Sequence, residues 1–251
     1  MRKLRLVLVL FVLFVAVLLT VFFLYPFWGI PFNFTRHTSV PVTPPWALEC
    51  WLWEDDANTA EAVRELLDGY KAHDIPVRTI LIDSPWSTRY NDFNVDKERY
   101  PDPRTFFETL QTEGYRVVLW MTCMVNSQNK DTVIQDSTDW FEEARAKGYL
   151  AGDGYQWRWW KGKGGFIDYS NPAAMEWWRG MQQSLFDWGI DGWKLDGTAT
   201  FFSSRFWGIP IPYQRTYRGW KTTRAYMDRY YRDEYRHGLT QNPEFITLAR
   251  A

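Results

Sequence analysis

The 251-residue chain is poor in the residue types that build most metal and nucleophile–base sites. Its three histidines, His37, His73 and His237, are isolated from one another. That leaves little material for a histidine metal cluster or a Ser-His-Asp triad. The two cysteines, Cys50 and Cys123, fit no C-x-x-C spacing and are open to being free or paired. No glycine-rich phosphate loop follows any apolar run, which counts against a nucleotide-binding open sheet. A formal net charge of -1 removes the electrostatic basis for a nucleic-acid partner. No metal and no cofactor is expected.

What is abundant is apolar and aromatic. The chain is 46% hydrophobic and 24% charged, a globular composition with enough length for a large core. Aromatic residues make up 19%, including 16 tryptophans. Composition alone favours a core built from large rings over a stacking surface for a ring-shaped ligand.

The N-terminus reads as a membrane segment, residues 1–25. MRKLR is a positive flank, and Leu6 to Leu24 run apolar except for Thr20. That length suits a helix crossing a bilayer. No small-x-small cleavage site follows, so an uncleaved signal anchor is favoured over a secreted product. The positive flank then stays cytoplasmic and places the remainder outside the cytoplasm. Residues 26–45 form a proline-containing linker ending in PVTPP, and they include a glycosylation sequon at Asn33.

From residue 46 to 251, apolar runs alternate with helical patterns. Strands are expected at 47–53, 77–83, 115–122, 190–196 and 244–251. Helices are expected at 59–73, 102–114, 171–189 and 222–238, the third capped by Asn171 with Pro172 in its first turn. This order predicts an α/β fold with parallel strands. Strands apolar on both faces, with polar residues recurring at their C-terminal ends, favour a (β/α)8 TIM barrel over an open sheet. Only about five strands are legible, so the barrel is expected to be incomplete, a truncated or partial product.

The strand GWKLD carries Lys194 and Asp196 on one face and Trp193 and Leu195 on the other. Trp193 and Leu195 would pack on outer helices. Lys194 and Asp196 would face the barrel mouth side by side. A cation beside a carboxylate favours the charged form, which a nucleophile attacking an anomeric carbon needs. The competing reading is a plain buried ion pair. Asp83 ends the second strand, Trp120 lies in the third and Arg250 ends the fifth. The segment WRWWKGKGG (157–165) reads as a surface loop whose tryptophans form a stacking wall.

The ordered set LIDSPW, YNDF…PDP, VVLWMT, DYSNP, GWKLDG and ITLAR resembles the catalytic barrel of glycoside hydrolase family 31. These are retaining α-glycosidases with related transglycosylases and lyases. The resemblance covers about residues 46–251, the N-terminal and middle parts of the barrel. It implies Asp196 as the nucleophile and Lys194 as the family's lysine two residues before it. It also implies Asp83, Trp120 and Arg250 as substrate-binding residues, with Trp157 matched to a further subsite wall. The family's acid/base aspartate follows the sixth strand, beyond Ala251, so no acid/base is named. The family's usual β-sandwich ahead of the barrel is replaced here by the apolar segment and linker. The implied activity is hydrolysis of O-glycosidic bonds by an α-glucosidase/α-xylosidase-type enzyme with a carbohydrate partner. The alternatives are a non-catalytic sugar-binding fragment and an α-galactosidase-like relative.

Overall fold

The computed structural model describes residues 2–28, 43–55 and 57–250, without the side chains of 23–28. Most of the expected linker and its sequon lie outside the described residues. The first helix, α1 (Arg2–Trp28), opens with Arg2, Lys3 and Arg5 and is then apolar apart from Thr20 as far as Phe22, and that stretch is unburied.

Five strands form one sheet: β1 (Trp51–Glu54), β2 (Thr79–Ile82), β3 (Arg116–Met121), β4 (Gly192–Leu195) and β5 (Ile246–Ala249). They pair in chain order and all in parallel. The strand expected at 47–53 starts late. Pro45–Leu48 is a 3-10 turn, because consecutive prolines at 44 and 45 pre-set a turn rather than a strand. That turn folds Trp46 onto Leu81 and Val118, filling the lower part of the sheet's inner face.

The outer face is covered by helices. α2 (Ala60–Ala72) and α3 (Pro103–Thr112) turn Val63, Leu67, Phe107 and Leu110 onto it. α5 (Pro172–Asp187) and α6 (Thr223–Gln241) complete the cover with Trp178, Leu185 and Tyr230. Between α3 and α5 lies α4 (Thr138–Ala146), a helix outside the elements expected from the sequence. Asn171 caps α5 as expected, its side chain accepting from the Ala173 amide at 3.0 Å. Trp193 is buried among Phe93, Phe186 and Phe245, as strand parity requires.

The lower end of β4 is fixed by Asp191. Its carboxylate accepts from the Val117 amide at 2.9 Å and from Gln111 and Arg116 at 2.8 Å each. This tie sets the height of β4 against β3 and so fixes where the strand's other end emerges.

The long connections also fold. Met124–Asn129, Trp157–Trp159 and Gly162–Phe166 form a three-stranded antiparallel sheet above β3. Two hairpins follow β4: Ser204–Phe206 with Ile209–Ile211, and Tyr213–Thr216 with Gly219–Thr222. Cys50 is exposed, Cys123 is buried, and neither is in a disulfide.

Candidate active site

Register places the site residues together. Trp120 pairs with Lys194, and Ile82 pairs with Leu119, so Asp83 stands level with Trp120 and Lys194. All three are buried and reach the inner face at the C-terminal end of the sheet. Asp196 lies one pleat higher on β4 and is only 2% exposed.

The expected Lys194–Asp196 pairing is not what forms. The Lys194 ammonium reaches across β3 to the Asp83 carboxylate. Lys194 sits one pleat below Asp196 with its long stem directed sideways, and Trp120 occupies the space beneath Asp196. Asp83 Oδ2 also accepts from Trp53 Nε1 at 2.8 Å, and Oδ1 accepts from the Ser84 amide at 2.8 Å. The ammonium lies over the Trp53 ring, 4.5 Å from its centre. Asp83 therefore both caps its turn and holds a buried ion pair. Charges taken out of water are tolerated only with such full pairing.

Asp196 has its own set of donors. Trp120 Nε1 donates to Oδ2 at 2.8 Å, and the Gly197 amide donates to Oδ1 at 2.7 Å. The Arg250 guanidinium lies 3.5 Å from Oδ1, with its side chain 69% exposed. The Tyr231 hydroxyl and the Leu195 carbonyl hold the Arg250 backbone. One neutral side-chain donor, one backbone donor and one exposed cation thus aim the carboxylate while leaving lone pairs on both oxygens.

The wall beside Trp120 is built by Trp159. The two rings lie parallel within 5°, with centres 6.3 Å apart, and Tyr90 meets both edge-on. Asn126 accepts from Trp159 Nε1 at 2.9 Å. Trp157, the tryptophan singled out from the sequence, is elsewhere. Its indole donates to the Ser203 carbonyl at 3.2 Å, and Arg205 lies over its ring.

The stretch expected as a surface loop is therefore a hairpin with one buried tryptophan. Trp157 pairs with Gly164 and Trp159 with Gly162. A methyl group at Gly162 would lie 2.0 Å from the Gln128 carbonyl oxygen, and one at Gly164 would lie 2.4 Å from Asn126 and Val125 oxygens. The glycines here admit a neighbouring strand. The alternation W-R-W against G-K-G was the available signal. Trp53 was also missed, although it lies one residue before the end of β1 and pairs with Leu81 on the sheet's inner face.

A parallel α/β barrel sheet bearing a carboxylate, an ion pair and parallel indoles at its C-terminal strand ends is the functional face of a TIM-barrel enzyme. Residues 40–242 match the model of the glycosyl hydrolases family 31 TIM-barrel domain, and the chain belongs to that family. It is 30% identical over 173 residues to α-xylosidase XylQ of Lactiplantibacillus pentosus, covering 65% of this chain and 22% of that protein. It is 28% identical over 155 residues to α-glucosidase 2 of Bacillus thermoamyloliquefaciens, covering 61% of this chain and 19% of the relative. The glucose complex of the Flavobacterium johnsoniae family 31 dextranase shares the fold, with a TM-score of 0.72 and 22% identity over 84% of this chain and 26% of that one. The chain thus spans about a fifth of the length of the curated relatives it matches.

Proposed function

We propose that this chain carries the nucleophile half of a retaining α-glycosidase site, acting on terminal α-glucosyl or α-xylosyl groups. Asp196 attacks the anomeric carbon through an oxocarbenium-like transition state and forms a glycosyl ester. Asp83, already oriented by Lys194, Trp53 and the Ser84 amide, accepts from sugar hydroxyls. Trp120 and Trp159, both buried, form the aromatic backing of the sugar site beside Asp196. Arg250, exposed and within reach of Asp196, closes on substrate and nucleophile together.

The observation that carries this reading is the placement of Asp196: a carboxylate at the end of a barrel strand, 2% exposed and oriented by Trp120 Nε1. The names of the relatives, an α-xylosidase and an α-glucosidase, support the substrate class. Retaining hydrolysis needs a second carboxyl group as acid and base. Asp83 is unsuited to that role, because its oxygens are already engaged by the Lys194 ammonium, Trp53 Nε1 and the Ser84 amide. We assign the acid to none of the described residues. The second reading is a barrel that binds sugar without turnover.

Asp196→Ala in the intact protein separates the two. The nucleophile reading expects turnover of aryl α-glycosides to be abolished with the melting temperature little changed. Wild-type kcat in that variant would sink the assignment.

For the N-terminus, the reading is a signal anchor with the barrel domain (46–251) outside the cytoplasm. Its support is the apolar stretch Arg2–Phe22, whose 21 residues span about 30 Å at about 1.5 Å per residue. Secretion after cleavage is the alternative, and the size of the N-terminal peptide in the mature protein decides between them.

A further inference from the structure

Beyond the Gly197 amide, the stretch between Asp196 and the first turn of α6 takes no part in the site chemistry, and its composition is unusual. From Gly197 to Met227 it carries Arg205, Arg215, Arg218, Lys221 and Arg224 but no aspartate or glutamate. The whole chain, by contrast, is nearly neutral. The same segment holds a dense set of exposed large apolar side chains. Phe206, Trp207 and Ile209 crown the first hairpin, with Trp207 91% exposed. Tyr217 and Trp220 are exposed on the second. Keeping such rings in water is costly, and a patch of them marks a contact surface.

The second hairpin is two-faced. Gln214 and Thr216 point inward and are buried, Gln214 donating to the Ser203 carbonyl at 2.8 Å. By alternation Tyr213 and Arg215 point outward, and Arg215 pairs across the hairpin with Trp220. It is on this outward face that α1 arrives. The Phe22 ring lies 5.1 Å from the Tyr213 ring, and α1 contacts α6. The apolar stretch of α1 thus meets, at Phe22, the same face that presents Arg215 and Trp220. The first hairpin leaves two residues before Tyr213, at Ile211, and its two-residue turn lies about 10 Å from that base.

We infer that the outward faces of these two hairpins form a membrane-contact surface, in which Phe206, Trp207, Ile209 and Trp220 enter the headgroup–acyl boundary and Arg215, Arg218 and Lys221 meet anionic lipid headgroups. The inference rests on α1 being a membrane anchor. Two features define the partner. Aromatic side chains with a polar rim suit the bilayer interface, and a basic apolar-tipped surface gains from both burial and attraction to any anionic headgroups in the leaflet it meets. The surface is continuous with the end of the anchor, so its cost of encounter is already met by tethering. The consequence for the enzyme is orientation. The hairpins follow Asp196 after one 3-10 turn, Gly197–Phe201, so docking them fixes the side of the barrel mouth that β4 borders against the bilayer.

The test uses the full chain in lipid nanodiscs containing phosphatidylglycerol, in a Cys50→Ser background, since Cys123 is buried and unreactive to labels. Spin labels are placed singly through Ile209→Cys, Val12→Cys and Asp139→Cys. Relative collision with oxygen against a water-soluble nickel chelate reports depth. The label at 12, in α1, is expected to be deep. The label at 209 is expected to show an oxygen-to-nickel ratio several-fold above that at exposed position 139. Adding Arg215→Glu and Lys221→Glu is expected to return 209 toward the value at 139. A deep label at 12 with 209 indistinguishable from 139 overturns the surface while leaving the anchor intact. A water-exposed label at 12 overturns the anchor and the surface with it.

Discussion

Trp120 and Asp196 are joined by a 2.8 Å hydrogen bond from the indole N–H to Oδ2, and the same indole lies parallel to Trp159. One side chain thus aims the carboxylate and forms part of the wall against which a sugar would lie. Trp120→Phe removes the donor and keeps most of the wall. A hydrogen bond to a charged group contributes about 1.5–3 kcal/mol. The expected result is a kcat lowered by about 10- to 100-fold in the intact protein. KM is expected to change little. A raised KM at unchanged kcat would mean that the ring binds substrate without orienting Asp196.

Lys194 and Asp83 are a buried pair, so removing one member exposes the cost of the other. Lys194→Met is expected to lower stability by about 3–5 kcal/mol, because the Asp83 charge is left uncompensated. Lys194→Met combined with Asp83→Asn is expected to recover much of that loss. It should not recover sugar affinity, since the acceptor for sugar hydroxyls is gone. Urea unfolding of the three variants measures the first effect and titration with the monosaccharide the second. An unchanged stability in Lys194→Met would contradict the pairing.

Gly164→Ala tests the hairpin that carries Trp159. The added methyl would press on Asn126 Oδ1 and the Val125 carbonyl, both at 2.4 Å, and Asn126 is the acceptor that holds Trp159. Overpacking of this kind costs about 1–3 kcal/mol. Lower affinity for sugar with the barrel sheet intact by circular dichroism is the expected outcome. Wild-type stability and affinity would show that the strands separate without consequence.

Glu234 on α6 is fully enclosed and accepts from the Tyr169 hydroxyl, from Trp178 at 2.9 Å and from Gln182 at 3.1 Å. Burial pushes its carboxyl above the ordinary value of 4.5, the three hydrogen bonds opposing this in part. The folded chain therefore holds this proton more tightly than the unfolded chain. Its contribution to stability is complete below pH 4.5 and falls as pH rises through the raised value. Glu234→Gln removes that dependence, and the unpartnered Gln182 Oε1 can turn to accept from the new amide. The stability difference, variant minus wild type, is expected to grow from pH 4.5 toward pH 8. A constant difference over that range would contradict the burial argument.

The sequence made the five parallel strands legible because each is an apolar run ended by a polar residue, and strand parity alone placed Trp193 outward and Lys194 inward. Parity could not say which carboxylate Lys194 meets. That is decided by register across β3, and the Asp191 tie fixing it joins residues 74 to 80 positions apart. The antiparallel sheet carrying Trp159 was hidden for a related reason. Its glycines resemble loop glycines in sequence, and their role as clearance for Gln128 and Val125 exists only after folding. The hairpins after β4 have short strands without clear alternation, since their apolar residues face outward.

The central claim is that Asp196 is the atom-bearing nucleophile. A 5-fluoro-α-glycosyl fluoride tests it without any acid, because fluoride leaves unprotonated while the carboxylate oxygen bonds to the anomeric carbon. Incubation with the glucosyl and xylosyl reagents, followed by peptide mass spectrometry, is expected to show the fluorosugar on the peptide containing Asp196. No labelling is expected in Asp196→Ala. A fluorosugar on any other residue, or equal labelling of that variant, would contradict the account.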